Sequence, residues 1–262
     1  MRDPRLYQIV VLGSLLTYGL IALDFDIGPA QVILTIAAAL LTQAVASHAT
    51  KLPRIEWRSA LISSLSLCLM LRTSTPWLCA LAAVLAIGSK FVLRSRGKHI
   101  FNPTNLALVA MLLLTDRAWV SSGQWGSATL FGFLMACLGT VVVTRARRAD
   151  VSFAFLVAWG SILVVRSLQL HEPMTIPWHR LQSGSLLLFA FFMISDPKTT
   201  PDARSGRLLF AVLVALGAWF VQFKLFHTNA LLWSLAAVAP LVPIIGVLLL
   251  LPTHTPTTSC GV

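Results

Sequence analysis

The side chains best able to do chemistry gather in one stretch, residues 90–114. Lys90 sits in an apolar run and is followed by the basic residues Arg94, Arg96 and Lys98. The chain then turns through Phe101-Asn102-Pro103-Thr104-Asn105 into an apolar run too short to cross a bilayer alone. Two readings fit Asn102, Pro103, Thr104 and Asn105. One is an Asn-Pro turn before an ordinary helix, capped by Thr104 or Asn105. The other is the mouth of a half-length helix, whose partial positive charge faces an anionic or electron-rich ligand.

A second polar break lies further on. Ser183-Gly184-Ser185 opens another short apolar run, and Ser195-Asp196-Pro197 closes it. Asp196 reads either as an interfacial residue or loop cap, or as a contact for a cation or a flavin. An ionised lysine at the bilayer centre costs about 2.5–3.5 kcal/mol, so Lys90 must snorkel, pair or face a cavity. Asp196 is its candidate partner, and together they are the candidate ion pathway. The histidines fall in loops, turns or the tail, without the facing pair that bis-histidine haem ligation needs. Cys68, Cys79, Cys137 and Cys260 show no CxxC spacing, which favours packing over metal or disulfide roles. No Walker, HExxH, GxSxG or Rossmann pattern occurs, so no catalytic residue and no metal ligand is assigned.

The elements that must position these residues follow from composition. The chain has 262 residues, 57% hydrophobic and 11% charged, with a mean hydropathy of +0.82. Soluble domains carry about 25% charged residues. The apolar residues form solid blocks, not the alternation of a transmembrane β-barrel. The expected fold is therefore an all-α polytopic membrane protein. The net charge of +11 is read as helix orientation in a lipid bilayer, with no nucleic-acid partner, because no basic run is interleaved with aromatics.

Ten membrane segments are expected, at 6–23, 27–46, 59–71, 76–93, 105–115, 127–144, 151–165, 183–194, 207–223 and 230–251. The first is longer than a signal-peptide core and lacks an A-x-A site, so it reads as a retained helix. The segments at 59–71, 105–115 and 183–194 are short. With this count, fifteen Lys and Arg fall in loops on the N-terminal side and five on the other. That asymmetry predicts both termini in the cytoplasm. The expected location is a bacterial-type inner membrane.

Five segments per half give two halves of opposite orientation, 1–126 and 127–251, followed by a polar tail, 252–262. The third segment of each half is short, and RSALISSLSLCLM echoes QSGSLLLFAFFMI. Lys98-x-x-Phe-Asn-Pro-Thr-Asn-Leu-Ala-Leu likewise echoes Lys224-Leu-Phe-His-Thr-Asn-Ala-Leu-Leu. Interrupted helices at corresponding positions of inverted halves point to a site near the bilayer midplane. Irregular backbone survives there only where protein, ligand or water satisfies it.

These residues also resemble a known family. SALISSLSLCLM, then Lys90 with KHIFNPTNLALV after it, then LLLFAFFMISDPKTTP and GRLLFAVLVALGAW are similar to the NqrB subunit of the sodium-pumping NADH:quinone oxidoreductase. They are equally similar to the RnfD subunit of the Rnf electron-transport complex, and the two together make up the NqrB/RnfD family. The KHIFNPTN form and the WVSSGQWG loop look closest to its small stand-alone members, the UnbU type found with enediyne biosynthesis genes. The resemblance implies ten helices in two inverted halves and membrane-embedded electron transfer, with flavin on the subunit and sometimes coupled ion movement.

One departure stands out. Family members with covalent flavin attach FMN to the threonine of an S-G-A-T motif after the fifth helix. This chain has Ser121-Ser122-Gly123-Gln124-Trp125-Gly126-Ser127-Ala128-Thr129 there, and S-G-A-T nowhere. Thr129 is the remaining candidate for covalent attachment, with a helix-start hydroxyl as the alternative. The expected cofactor is thus non-covalent FMN or riboflavin, or a quinone. The expected function is membrane electron transfer beside other membrane or redox subunits. A small-solute or ion transporter and a cofactor-free scaffold for a biosynthetic assembly are the alternatives.

Overall fold

Proline and small polar residues punctuate the apolar blocks and set where each helix begins. In a computed structural model, which describes residues 3–95, 97–121 and 129–248, four helices of the first half open with proline. They are α1 (Pro4–Ala22), α2 (Pro29–Ala49), α4 (Pro76–Val92) and α5 (Pro103–Leu114). Proline suits that place because its missing N–H would be unpaired there anyway. Between α2 and α4 lies α3 (Trp57–Met70). The second half holds α6 (Thr129–Arg145), α7 (Ala149–Gln169), α8 (Thr175–Leu181), α9 (Gly184–Leu188), α10 (Arg204–Phe223), α11 (Ala230–Val238) and α12 (Val242–Leu248). Arg2, Arg96, residues 122–128 and the tail, all used in the sequence reading, lie outside the described residues.

Among the described helices α1, α2, α7 and α10 are long and apolar enough to cross a membrane. The other apolar helices, α3 and α5 among them, are shorter. α3 and α5 end in extended backbone, and this adds strand pairs that the sequence reading did not include. β1 (Leu71–Thr73), which leaves α3, runs antiparallel to β4 (Ala118–Val120), which leaves α5, with Arg72 opposite Trp119. A second ladder joins β2 (Arg94–Ser95) to β3 (Lys98–His99). Backbone released by a half-length helix needs partners, and each segment supplies them to the other. Arg72 strengthens the arrangement from within. It is 1% exposed and donates Nη1 to the carbonyls of Cys68 and Leu71, at 2.8 and 2.7 Å, where α3 runs out of helical donors.

The last turn of α9 widens into a π-helical turn, Phe189–Met193, whose side chains are all buried. Gly139 of α6 lets that turn approach closely, since a Cβ there would lie 2.4 Å from Cγ of Phe191. Helix partners recur between the halves. α2 packs on α4 as α7 packs on α10, α4 on α5 as α10 on α11, and α1 on α3 as α6 on α9.

Candidate functional site

The N-terminus of α5 is built by Asn102, and not by Thr104 or Asn105 as the sequence suggested. Pro103 takes the first helical position, so the cap falls one residue earlier, and the Asn102 Oδ1 accepts from Asn105 N at 3.0 Å. The same side chain reaches the end of the other broken helix. Its Nδ2 donates to the carbonyl of Met193 at 3.2 Å and approaches Asp196 Oδ2 at 3.5 Å. One amide thus serves a helix start and a helix end that lie 91 residues apart.

Beside this junction is a cavity of about 500 Å³. Lys90, Asn102, Pro103, Thr104, Asp196 and Pro197 line it, drawn together from α4, α5 and the loop after the π turn. Lys90 is 5% exposed and donates Nζ to the Ser59 carbonyl at 3.0 Å and to the Ser59 hydroxyl at 3.2 Å. It lines the cavity with Ser59 as its hydrogen-bond partner, and Asp196 lines the same cavity without a direct ion pair to it among the described residues. Asp196 Oδ1 accepts from Lys198 N at 3.0 Å, closing the loop. Protein surrounds this half-buried carboxyl, and the burial raises its pKa despite the Lys198 hydrogen bond and the Lys90 charge.

Several lining groups were not singled out from sequence. Ser59, Ser63 and Ser66 lie at i, i+4 and i+7 on α3, so one helix face carries a hydroxyl stripe into the cavity. That spacing was visible in the sequence. Arg5, Arg145 and Arg147 also line it, as does His99. Burial, then the charges of Lys198, Lys90 and Arg94, bring the His99 pKa down to about 4, so its imidazole is neutral near pH 7. Its Nδ1 is buried without a partner among the described residues. The cavity therefore has hydrogen-bonding groups of both kinds, an excess of cations, and apolar walls from Ile62, Val142 and Phe192.

Other predicted residues lie elsewhere. Asn105 is buried behind the cap and donates Nδ2 to the Leu232 carbonyl at 3.2 Å, tying α5 to α11. Ser183 precedes α9, Gly184 begins it, and the hydroxyls of Ser183 and Ser185 are 2.8 Å apart. Ser185 lines a second cavity of about 200 Å³ with Met70, His227 and Asn229. The two ends of the α9 segment thus serve different cavities. Thr129 is the first residue of α6, and the rest of its motif comparison lies outside the described residues from 122 onward.

The family model described as NQR2, RnfD, RnfE matches residues 115–249, just over half of the chain. The chain belongs to this family. Similar curated relatives are the D subunits of the ion-translocating oxidoreductase complex from Escherichia coli strain K12, Escherichia coli O9:H4 strain HS and Shigella boydii serotype 18. Each is 27% identical over 107 residues, which is 41% of this chain and 26% of the relative. The matches thus span about a quarter of the relatives' length. Asp196 lies within the stretch matched by the family model, whereas Ser59, Lys90 and Asn102 precede it.

Proposed function

We propose that this chain is an electron-transfer subunit of a bacterial inner membrane, holding a non-covalent flavin in the cavity beside Asn102. The observation that carries the reading is that two broken-helix ends, remote in sequence, meet at one cavity around Lys90, Asn102 and Asp196. A volume of about 500 Å³ lies within the roughly 300–1,000 Å³ usual for small-molecule sites. The unpaired Nδ1 of His99 and the hydroxyls of Ser63, Ser66 and Thr104 fit the polar edge of a flavin, and Ile62, Val142 and Phe192 fit its faces. A bound flavin supplies one- and two-electron transfer. Lys90 and the α5 N-terminus hold positive potential where negative charge must be stabilised. Ser59 fixes the Lys90 ammonium, and Asn102 fixes the two helix ends against each other.

Ten membrane segments in two inverted halves, 1–126 and 127–251, with both termini cytoplasmic, complete the proposal. The recurring helix partners and the biased loop charges support it. Partner redox subunits would supply and take electrons, and the relatives' description as parts of an ion-translocating complex supports that and coupled ion movement. The test is the absorption spectrum of the full chain purified with its native partners, followed by acid precipitation. Releasable flavin that Lys90→Met diminishes supports the reading, and a colourless preparation with no releasable flavin or quinone sinks it. The second reading is a small-ion or solute path, favoured by a basic and an acidic residue, Lys90 and Asp196, lining one cavity. Uptake into liposomes by flavin-free protein would select it.

A further inference from the structure

At the far ends of α7 and α10 lies an open groove of about 590 Å³, separate from the cavity at Asn102. Both helices are long and apolar enough to span a membrane. Ile162, Val165 and Gln169 line one wall from α7, and Leu216, Trp219 and Phe223 the other from α10. Each set follows the i, i+3/i+4, i+7 spacing of one helix face, so the groove runs along the helices. Seven residues of helix give it a length of about 10 Å, suited to a segment of alkyl chain.

Cations crowd one end. The Arg166 guanidinium lies 4.3 Å from the Phe223 ring centroid, and Arg180 lies 5.5 Å from the same ring. Lys224 Nζ lies 5.7 Å from the Trp219 ring. These are three of the five basic residues assigned by sequence to this side of the membrane. Glu172 pairs with Arg166 at 3.2 Å, and among the described residues no ion pair holds Arg180 or Lys224. An alkyl-shaped groove, a net-positive end and a tryptophan beside it match one chemistry, an anionic phospholipid.

We propose that the groove between α7 and α10 binds an anionic diacyl phospholipid, its phosphate at Arg166, Arg180 and Lys224 and an acyl chain against Val165 and Leu216. A diacyl lipid is favoured over an acidic protein segment because Ile162, Val165, Leu170, Leu216, Trp219 and Phe223 make most of the lining apolar and the groove lies on spanning helices. The inference does not depend on the flavin reading.

The test is thermal stabilisation of the full chain in detergent, titrated with phosphatidylglycerol, phosphatidylcholine, glycerol phosphate or inorganic phosphate. Phosphatidylglycerol should raise the melting temperature, and the other three should have little effect. The double variant R180Q/K224Q should weaken the phosphatidylglycerol response about tenfold or more, and R180K/K224R should keep it. Leu216→Trp keeps the charges but fills the half-exposed groove, and should weaken it as well. Equal stabilisation by both lipids, an unchanged response in R180Q/K224Q or L216W, or the same effect from glycerol phosphate would overturn the proposal. So would photo-crosslinking from position 224 that goes to a protein in native membranes.

Discussion

The Nδ2 of Asn102 lies 3.2 Å from the carbonyl oxygen of Met193, and this contact joins the start of one short helix to the end of another. Both ends leave backbone groups without intrahelical partners, and one side chain satisfies a member of each set. Asn102→Ala should therefore cost more than an ordinary cap, which is worth about 1 kcal/mol, because the Met193 carbonyl also loses its shorter donor and keeps only Asp196 N at 3.4 Å. Asn102→Ser keeps a capping oxygen but is too short to reach Met193, so its melting temperature should fall between those of Ala and the natural chain.

Gly139 faces Phe191 so closely that any β-carbon must displace the π turn. Gly139→Ala should destabilise by about 1–3 kcal/mol, as overpacking does. Combining it with Phe191→Ala, which removes the Cγ and Cδ2 that the new β-carbon would meet, should cost less than the two single losses summed. Melting curves of the single and double variants measure this coupling, and strict additivity would argue against a direct clash.

His99 gives the site an acid-sensitive element. Burial and neighbouring cations hold its pKa at about 4, against an ordinary value of 6.5. Between these values the unfolded chain binds a proton that the folded chain refuses, so folding weakens as pH falls through that window. Asp196 works in the opposite sense. Its pKa is raised, so its contribution favours folding below that pKa and is lost as pH rises through it. Melting temperatures of His99→Gln should fall less than those of the natural chain between pH 6.5 and 5. An equal slope would show that His99 is not the responsible group.

Arg72 ends α3 by donating to two carbonyls while nearly excluded from solvent. Charged hydrogen bonds of this kind contribute about 1.5–3 kcal/mol. Arg72→Met keeps the bulk and loses the donors, so it should lower the melting temperature strongly. Arg72→Lys should recover part of this, since its ammonium can reach one carbonyl at a time.

Residue order alone settles that the chain is helical, apolar and built from blocks of unequal length. Composition fixes the solvent, and Pro76 marks a helix start because a missing N–H costs nothing there, whereas the starts at Pro29 and Pro103 fell two residues from those expected at 27 and 105. Residue order also marks the groups that line the main cavity, Lys90, Asn102 and Asp196. A lysine in an apolar run and polar breaks beside short helices are costly unless something uses them. The serine stripe at 59, 63 and 66 was equally legible from its spacing.

Which of these residues meet is a matter of packing in three dimensions. Asn102 and Asp196 are 94 residues apart, and their approach depends on how α5 packs against the end of the π turn. No local pattern encodes that distance. The π turn sets Phe191 closely on Gly139, a contact between helices whose separate sequences carry no sign of it. Ser183 and Ser185 were grouped by analogy with Asn102, yet a short helix has two ends, and theirs opens on another cavity. Spacing can place a residue on a helix face, but packing alone chooses what that face meets.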